Sequence, residues 1–285
     1  METTPTTTPL TQHSQAAQRS SAEQQDLDTS LLFAVGGGEL ARARALIRRG
    51  ANPSAPKNRP GLSAPQNKTT ALIAAAELGN DKMLKALLSA PTLDAQATDS
   101  FGDSALAWAA SFGHVECLKM LVPLSNVHGK NEVGQTALML AARRGSADCI
   151  KELIGISDAR DVDHGGTTAL MIASGLGQLE AAAVLVEGSD IDAEDQYGNT
   201  ALCHAIIYQE EDVCRFLAPL SSLRKTLALG ENTLDLAHKL AQENPSNSAA
   251  RRIYDIVFSI AEQKELAAAT KLEMGAKRSA PTRAL

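Results

Sequence analysis

Aromatic residues are scarce in this sequence. Phenylalanine, tyrosine and tryptophan make up 3% of the 285 residues, although 44% of the chain is hydrophobic. A core with so few rings has to be built from aliphatic and methyl-sized side chains, which suits closely stacked helices. No stretch approaches the roughly 18 consecutive apolar residues typical of a membrane-spanning helix. The opening METTPTTTPLTQHSQAAQRSS also lacks the apolar segment of a secretory signal. We therefore expect neither secretion nor insertion into a membrane.

Cysteine and clustered basic charge are sparse as well. The four cysteines, Cys117, Cys149, Cys203 and Cys214, form no C-x-x-C pair, which favours a reducing compartment: the cytoplasm, with the nucleus as the alternative. The net charge of −6 is spread along the chain and argues against nucleic-acid binding. The histidines and carboxylates show no ligand spacing or triad, so the sequence predicts no metal, no cofactor and no catalytic residue.

One short phrase recurs along the chain. It reads GDSALAWAASFG from Gly102, GQTALMLAARRG from Gly134, GTTALMIASGLG from Gly166 and GNTALCHAIIYQ from Gly198. The residues that open each unit are Thr29, Thr70, Ser104, Thr136, Thr168, Thr200 and Asn232, and from Thr70 onward they are separated by 34, 32, 32, 32 and 32 residues. Because such a period is typical of repeat architectures, we predict seven repeats.

Each repeat is predicted to form two helices. In the fourth, Asn131 and Gly134 form a turn, Thr136 caps the first helix, and Gly145 ends it before the second helix, SADCIKELI. The apolar run ALMLAA has to be covered on both sides, which a single repeat cannot do. Stability therefore has to come from stacking between neighbouring repeats.

These residues resemble the ankyrin-repeat family. The resemblance lies in the phrase G-x-T-x-L-x-x-A-A-x-x-G, in GHVECLKML from Gly113 and in LIRRGAN from Leu46. The sequence departs from the family pattern in the Pro and His of TPLH, which other residues replace in every unit, and its units resemble those of the ankyrin-only proteins of some protists. The resemblance implies an all-α ankyrin-repeat solenoid of about seven helix-turn-helix repeats with short hairpin-like loops.

The same resemblance divides the chain into three regions. Residues 1–27 are predicted to be a disordered polar tail, and 28–261 the repeat domain. This domain contains an enlarged loop at 53–68 and a C-terminal capping repeat at 230–261. Residues 262–285 are predicted to be a helical extension followed by a basic tail.

Ankyrin repeats bind partners through the hairpin tips and the concave side of the first helix. Transferred to this sequence, these positions flank each turn glycine and follow each alanine pair. The predicted partner-binding residues are Phe101, Asp103, Phe112, Val133, Gln135, Arg143, Arg144, His164, Leu176, Tyr197, Asn199, Ile207 and Tyr208. Four of the nine aromatics fall among them, on either side of the Arg143–Arg144 pair. Phe33 and Trp108 are predicted to lie in the core.

The family resemblance implies a non-catalytic module that binds one or more unidentified proteins, as an adaptor or scaffold, and is monomeric by itself. The first alternative is a regulatory or inhibitory subunit of an enzyme such as a kinase. Another is an enzyme or nucleotide-binding module, but VGGGEL from Val35 lacks the Lys-Ser/Thr of a phosphate loop. A third alternative is a structural scaffold that assembles with itself.

Overall fold

The computed structural model describes residues 20–58, 68–224, 230, 232–243 and 247–279, with side chains described up to residue 271. Two compact units are present: unit 1 comprises Met1–Ala109 with His114–Asn126, and unit 2 comprises Ala110–Gly113 with Val127–Leu285. In the described residues the helices and strands comprise fourteen α-helices, a short 3-10 helix and one short strand pair. The all-α repeat fold predicted from the sequence is therefore confirmed, while the count of seven repeats stays a prediction.

Unit 1 is built from paired helices. Helix α1 packs against α2 and α3, and α4 packs against α2, α3 and α6. Helix α5 begins in unit 1 and its last turn belongs to unit 2. The helices run as α1 Ser21–Gly36, α2 Leu40–Arg48, α3 Ala71–Glu77, α4 Asp81–Leu87, α5 Ala105–Phe112 and α6 Val115–Leu121, with a 3-10 turn at Val122–Leu124.

Helix α1 begins earlier than the sequence analysis predicted. Ser20 caps it in a capping box with Glu23, so eight residues assigned to the tail, 20–27, lie at or inside the helix. Thr29, predicted to open the first repeat, lies within α1 and donates its hydroxyl to Gln25 O at 2.7 Å. Its predicted capping role is wrong, because the S-x-x-E signal places the cap at Ser20. The rest of the predicted tail, 1–19, lies outside the described residues.

The predicted loop at 53–68 has structured ends. Strand β1 (Lys57–Asn58) pairs antiparallel with β2 (Lys68–Thr69). Buried Asp28 holds this region against α1, since its Oδ1 accepts from Asn52 N at 2.8 Å and its Oδ2 lies 3.7 Å from Lys57 Nζ. Residues 59–67 lie outside the described part, so the loop boundaries stay a proposal.

Unit 2 stacks its helices in two layers. First helices pack on first helices, α7 on α9 on α11, and second helices on second helices, α8 on α10 on α12. Helices α13 and α14 continue the layers, against α11 and α12 respectively. The helices run as α7 Ala137–Arg144, α8 Ala147–Ile154, α9 Ala169–Gly175, α10 Leu179–Leu185, α11 Ala201–Tyr208, α12 Glu211–Leu217, α13 Thr233–Glu243 and α14 Ser248–Ser279. The end of the predicted basic tail, 280–285, lies outside the described residues.

Threonine caps and small side chains explain this stacking. Thr136, Thr168 and Thr200 each accept a hydrogen bond from the backbone N–H three residues later, at 3.3–3.4 Å. Ala141 and Ala142 are fully buried between the layers, because methyl groups let adjacent first helices approach closely. The predicted cap Thr136 and the predicted alanine pair of the fourth repeat are confirmed, and the same cap recurs in the next two repeats.

An Asx residue builds each hairpin of unit 2. Asp195 Oδ1 accepts from Tyr197 N at 2.8 Å and from Asn199 N at 2.9 Å. The backbone N–H of Asp195 in turn donates to Asn199 O at 3.0 Å. Asn131 and Asp163 make the same bonds with the residues two and four positions later. The turn therefore has the same geometry in each repeat, which leaves its tip residues free to vary.

Candidate interaction surface

The hairpin tips of unit 2 present one row of exposed side chains. We call Val133, His164 and Tyr197 the tip row. Val133 is 55% exposed and Tyr197 is 61% exposed. Backbone hydrogen bonds join neighbouring tips: His164 N donates to Val133 O at 3.2 Å, and Gln196 N donates to Gly165 O at 3.0 Å. The predicted tip positions therefore project from a backbone that hydrogen bonds fix between repeats.

The residue that follows each turn glycine is bonded to the Asx residue through its backbone. The N–H of Gln135 donates to Asn131 Oδ1 at 2.9 Å and its carbonyl accepts from Asn131 N at 3.0 Å. Gln135 is buried, unlike the exposed tip residues, and its role as a contact residue stays a prediction. Asp103, in unit 1, and Asn199 occupy the same hairpin position and are half-buried.

The ends of the first helices present a second exposed row in unit 2. We call Phe112, Arg144, Leu176 and Tyr208 the helix-end row; its members lie 32 residues apart in sequence and all four are exposed. A Cβ placed on Gly113 would lie 3.6 Å from Arg144 Cγ, and one on Gly175 would lie 3.1 Å from Tyr208 Cδ2. Arg144 and Tyr208 thus each pack beside the end of the preceding first helix. The row is therefore continuous from Phe112 to Arg144 and from Leu176 to Tyr208.

Tyr208 is held in place by its neighbours. Its ring stacks on the His204 ring, with centroids 6.4 Å apart and planes 19° apart. His204 Nε2 lies 2.9 Å from Asp195 Oδ2, on the carboxylate that also organises the hairpin. The absent side chain of Gly175 makes room for the Tyr208 ring. Tyr208 is nevertheless 62% exposed, so it is an ordered aromatic group available for contact.

Two further predicted residues lie beside the helix-end row. Arg143 and Ile207 each precede a row member and are exposed. Aromatic and arginine side chains contribute most of the binding energy at many protein interfaces. Of the predicted residues in unit 2, Phe112, Val133, Arg143, Arg144, His164, Leu176, Tyr197, Ile207 and Tyr208 are exposed.

Unit 1 carries its own exposed apolar residues. Phe101, at a hairpin tip, is 55% exposed. Phe33 was predicted to lie in the core, but it is 51% exposed, because the glycines that follow it offer no side chains to cover it. Trp108 is half-buried and donates its indole N–H to Asp99 Oδ2 at 2.8 Å.

Sequence reasoning missed a groove in unit 1. Phe33 and Leu78 form part of its wall, and the cavity has a volume of about 510 Å³. No side chain projects from Gly36 or Gly37, and a Cβ on Gly36 would meet nothing within 4 Å. Later repeats carry larger residues at the position of Gly37, whereas Gly175 shares the position of Gly36. The run of three glycines was the available signal. The lining residues are Leu32, Phe33, Gly36, Gly37, Thr69, Ala74, Glu77 and Leu78.

The thiols are in environments that suppress their reactivity. Burial raises the pKa of the Cys117 thiol to about 11 and that of Cys214 to about 12, and it also raises the pKa of Cys149. All four cysteines are buried and unpaired. Because the thiolate is the reactive form, Cys117, Cys149 and Cys214 act as small apolar groups.

Metal-binding clusters and membrane-spanning helices are both absent from the described part of the chain. Residues 20–58, 68–224 and the later described segments contain no cluster of three His, Cys, Asp or Glu side chains placed to hold a metal ion. In the same residues, no helix combines the length and apolarity needed to cross a bilayer.

Comparison with known proteins supplies the family. A search of curated proteins finds no match. The family model described as "Ankyrin repeats (3 copies)" matches three overlapping stretches, residues 31–131, 73–162 and 138–227. Together they cover more than half of the chain, including the Asx hairpins and stacked helix pairs of α7 to α12. Ankyrin repeats generally mediate protein–protein interaction and are typically non-catalytic. The chain belongs to the ankyrin-repeat family.

Proposed function

We propose that the protein is a non-catalytic adaptor or scaffold that binds a partner protein through the surface of unit 2 formed by the tip row and the helix-end row. In ankyrin-repeat proteins this surface is the concave side of the solenoid. The observation that supports the proposal is the recurrence of exposed aromatic, aliphatic and arginine side chains at the same repeat positions.

Preorganisation supports the same proposal. A surface whose side chains are already ordered loses less conformational entropy when a partner binds. Tyr208 is such a side chain, since Gly175, His204 and Asp195 fix its position before any partner arrives. A small number of anchors is then sufficient for specific binding.

We base the proposed compartment and the proposed oligomeric state of the unbound protein on the cysteine chemistry and the net charge. Four unpaired, buried thiols suit a reducing environment, and we place the interaction in the cytoplasm, with the nucleus as the alternative. We expect the protein to be a monomer in the absence of its partner. Sizing chromatography over a range of concentrations measures this oligomeric state.

A double substitution tests the proposal. In Phe112→Ala/Tyr208→Ala the largest aromatic groups of the helix-end row are removed, and we expect loss of partner capture by affinity purification and mass spectrometry. The free energy of unfolding should fall by no more than about 1 kcal/mol, because both side chains are exposed.

The matched control is Ile156→Ala/Leu220→Ala. These two residues are also in unit 2 and are 42% and 49% exposed, but they lie in the loops that follow the second helices. The control should capture the same proteins as the parent chain. If the Phe112/Tyr208 variant also captures them, the helix-end row is not the binding surface and the proposal fails.

A further inference from the structure

We propose that the segment bound by the helix-end row is acidic and amphipathic: an unmodified stretch of a partner protein in which two or more carboxylates are flanked by apolar side chains. The inference rests on the proposed function and specifies its partner. It comes from the pair of arginines in the middle of the row, Arg143 and Arg144.

Both arginines are exposed, and neither forms an ion pair or hydrogen bond with any residue that the structure describes. Several other exposed cations of unit 2 have carboxylate partners, whereas Arg160 and Arg251 are exposed and, like the pair, form no ion pair with the described residues. Lys151 pairs with Asp148 at 3.1 Å, Lys130 with Asp161 at 3.2 Å, and Arg215 with Glu211 at 2.8 Å. Within the described part of unit 2, the guanidinium groups of Arg143 and Arg144 are therefore available to an external anion.

The location of Arg143 and Arg144 in the last turn of α7 does not explain why two arginines are present there. Cations near the C-terminus of a helix stabilise it by about 0.3–1 kcal/mol through the helix dipole, and one residue is enough for that. The dipole also leaves the ten guanidinium N–H donors without acceptors other than water. A carboxylate supplies acceptors with matching planar geometry and can bind each guanidinium through two hydrogen bonds.

The exposed residues around the arginine pair indicate the other side chains and the length of the partner segment. The pair lies between Phe112 on one side and Leu176 and Tyr208 on the other, all exposed. Apolar partner side chains that cover these residues exclude water from the arginines, which strengthens the charge interaction. Adjacent packed helices are about 8–10 Å apart, so three steps from Phe112 to Tyr208 span about 24–30 Å. An extended segment of about eight residues matches this length.

The direction of the two side chains favours two carboxylates over a single phosphate. Consecutive residues of a helix project about 100° apart, so Arg143 and Arg144 diverge. The Arg144 stem runs towards Gly113, on the side of the preceding repeat. Arginine side chains that leave the helix in different directions can each meet a separate carboxylate along a peptide.

A selection experiment with the full chain tests the proposal. The probe is a displayed library of random 12-residue peptides, with sequence statistics read after selection against the parent protein. We expect the enriched peptides to combine at least two Asp or Glu residues with apolar neighbours. Enrichment of basic or uncharged peptides overturns the proposal, and the absence of any enriched peptide counts against the proposed function as well.

Variants measured with the best enriched peptide give the decisive comparison. Arg143→Gln/Arg144→Gln should weaken binding about tenfold or more, which corresponds to at least about 1.4 kcal/mol. Arg143→Lys/Arg144→Lys should retain part of the affinity, because the charge stays and the paired hydrogen bonds are lost. Raising the salt concentration should weaken binding to the parent chain but have little effect on the Gln variant.

Two outcomes separate the inference from the function on which it rests. If Phe112→Ala/Tyr208→Ala abolishes peptide binding while the Gln variant binds normally, the surface is correct and the acidic partner is wrong. If a peptide with phosphoserine in place of its Asp or Glu residues binds at least ten times more tightly than the acidic one, the partner is phosphorylated and the inference is also wrong. Circular dichroism of each variant checks that the helices are intact.

Discussion

Gly177 and Gln209 follow the first helices of neighbouring repeats at the same position, and their φ angles are nearly equal, 68° and 65°. The residues that contact these two positions are different. A Cβ on Gly177 would overlap the carboxylate of Glu210, which begins the second helix of the next repeat. Gln209 instead accepts a hydrogen bond through its Oε1 from Asn247 Nδ2 at 2.8 Å. Within unit 2, one helix end is thus covered by a regular repeat and the other by the C-terminal helix pair.

The comparison separates two reasons for glycine at this position. A left-handed φ favours glycine, but Gln209 shows that another residue can adopt it where its side chain has room to reach a partner, here Asn247. Gly145 and Gly177 have a second constraint, since the first residue before the next second helix, Gln178 or Glu210, occupies the place of a side chain. The repeat therefore favours glycine mainly for the turn. The covering side chain, whose flexible end would have to shift, adds a smaller constraint that is lost where the regular array ends.

The largest effect is expected where stacked repeats cover a side chain completely. Ala141 is fully buried on α7, which packs against α9. Ala141→Asp should reduce the free energy of unfolding by about 3–5 kcal/mol, because the carboxylate would be buried without a partner. Urea unfolding followed by circular dichroism measures the loss. Arg143→Ala on the same helix is the exposed control and should change stability by about 0.5 kcal/mol or less. A fully helical Ala141→Asp protein with normal stability would contradict the stacked arrangement.

Exchanging the two residues tests the comparison itself. Gly177→Gln should lower the free energy of unfolding by about 2 kcal/mol or more, since the left-handed conformation costs about 1–2 kcal/mol and Glu210 has to move. Gln209→Gly should change stability by less than about 1 kcal/mol, because relief of the backbone offsets the loss of one exposed hydrogen bond. Thermal unfolding of both variants gives the difference.

The Asn247→Asp variant isolates the hydrogen bond to Gln209 in this pair of measurements, because it removes the Nδ2 donor and keeps the side-chain oxygen that accepts from Ala249 N at 3.0 Å. We expect it to cost no more than about 1 kcal/mol. A loss for Gly177→Gln matched by an equal gain for Gln209→Gly would show that φ alone, and not the overlying residue, decides which side chain is tolerated.

Sequence reasoning located the regular repeats well because their signals are local. A hydroxyl cap, an alanine pair and a helix-ending glycine are all within twelve residues, as in Thr136 to Gly145. Burial depends on more distant contacts, and there the predictions were weaker. Gln135 resembles a surface residue by type, but the Asn131 hairpin turns it inward, and Phe33 resembles a core residue until the glycines beside it are considered.

The exposed residues of the candidate interaction surface could be predicted from the sequence, but the contacts around their side chains could not. The repeat register placed Phe112, Leu176 and Tyr208 on exposed positions, and the structure agrees. The stack that fixes Tyr208 joins residues from one hairpin, one helix and the end of the neighbouring helix. No local pattern contains that combination, because it arises only when two repeats pack together.

The smallest effect concerns residues that cover a glycine and also begin a helix. Ser146 does both: a Cβ on Gly113 would lie 3.4 Å from Ser146 Oγ, and this hydroxyl accepts from Cys149 N at 3.5 Å. Gln178 lies over Gly145 but makes no side-chain cap for α10. Gln178→Ser should therefore raise the free energy of unfolding by about 0.5–1 kcal/mol by adding a cap.

Gln178→Ala is the matched control for this prediction, since it shortens the side chain without supplying an acceptor. Its stability should stay within about 0.5 kcal/mol of the parent chain, and urea unfolding of the two variants side by side resolves the difference. If Gln178→Ser is less stable than Gln178→Ala, the contact of residue 178 with Gly145 contributes more than a cap does. Close covering of the glycine, and not hydrogen bonding at the helix start, would then determine which residue begins each second helix.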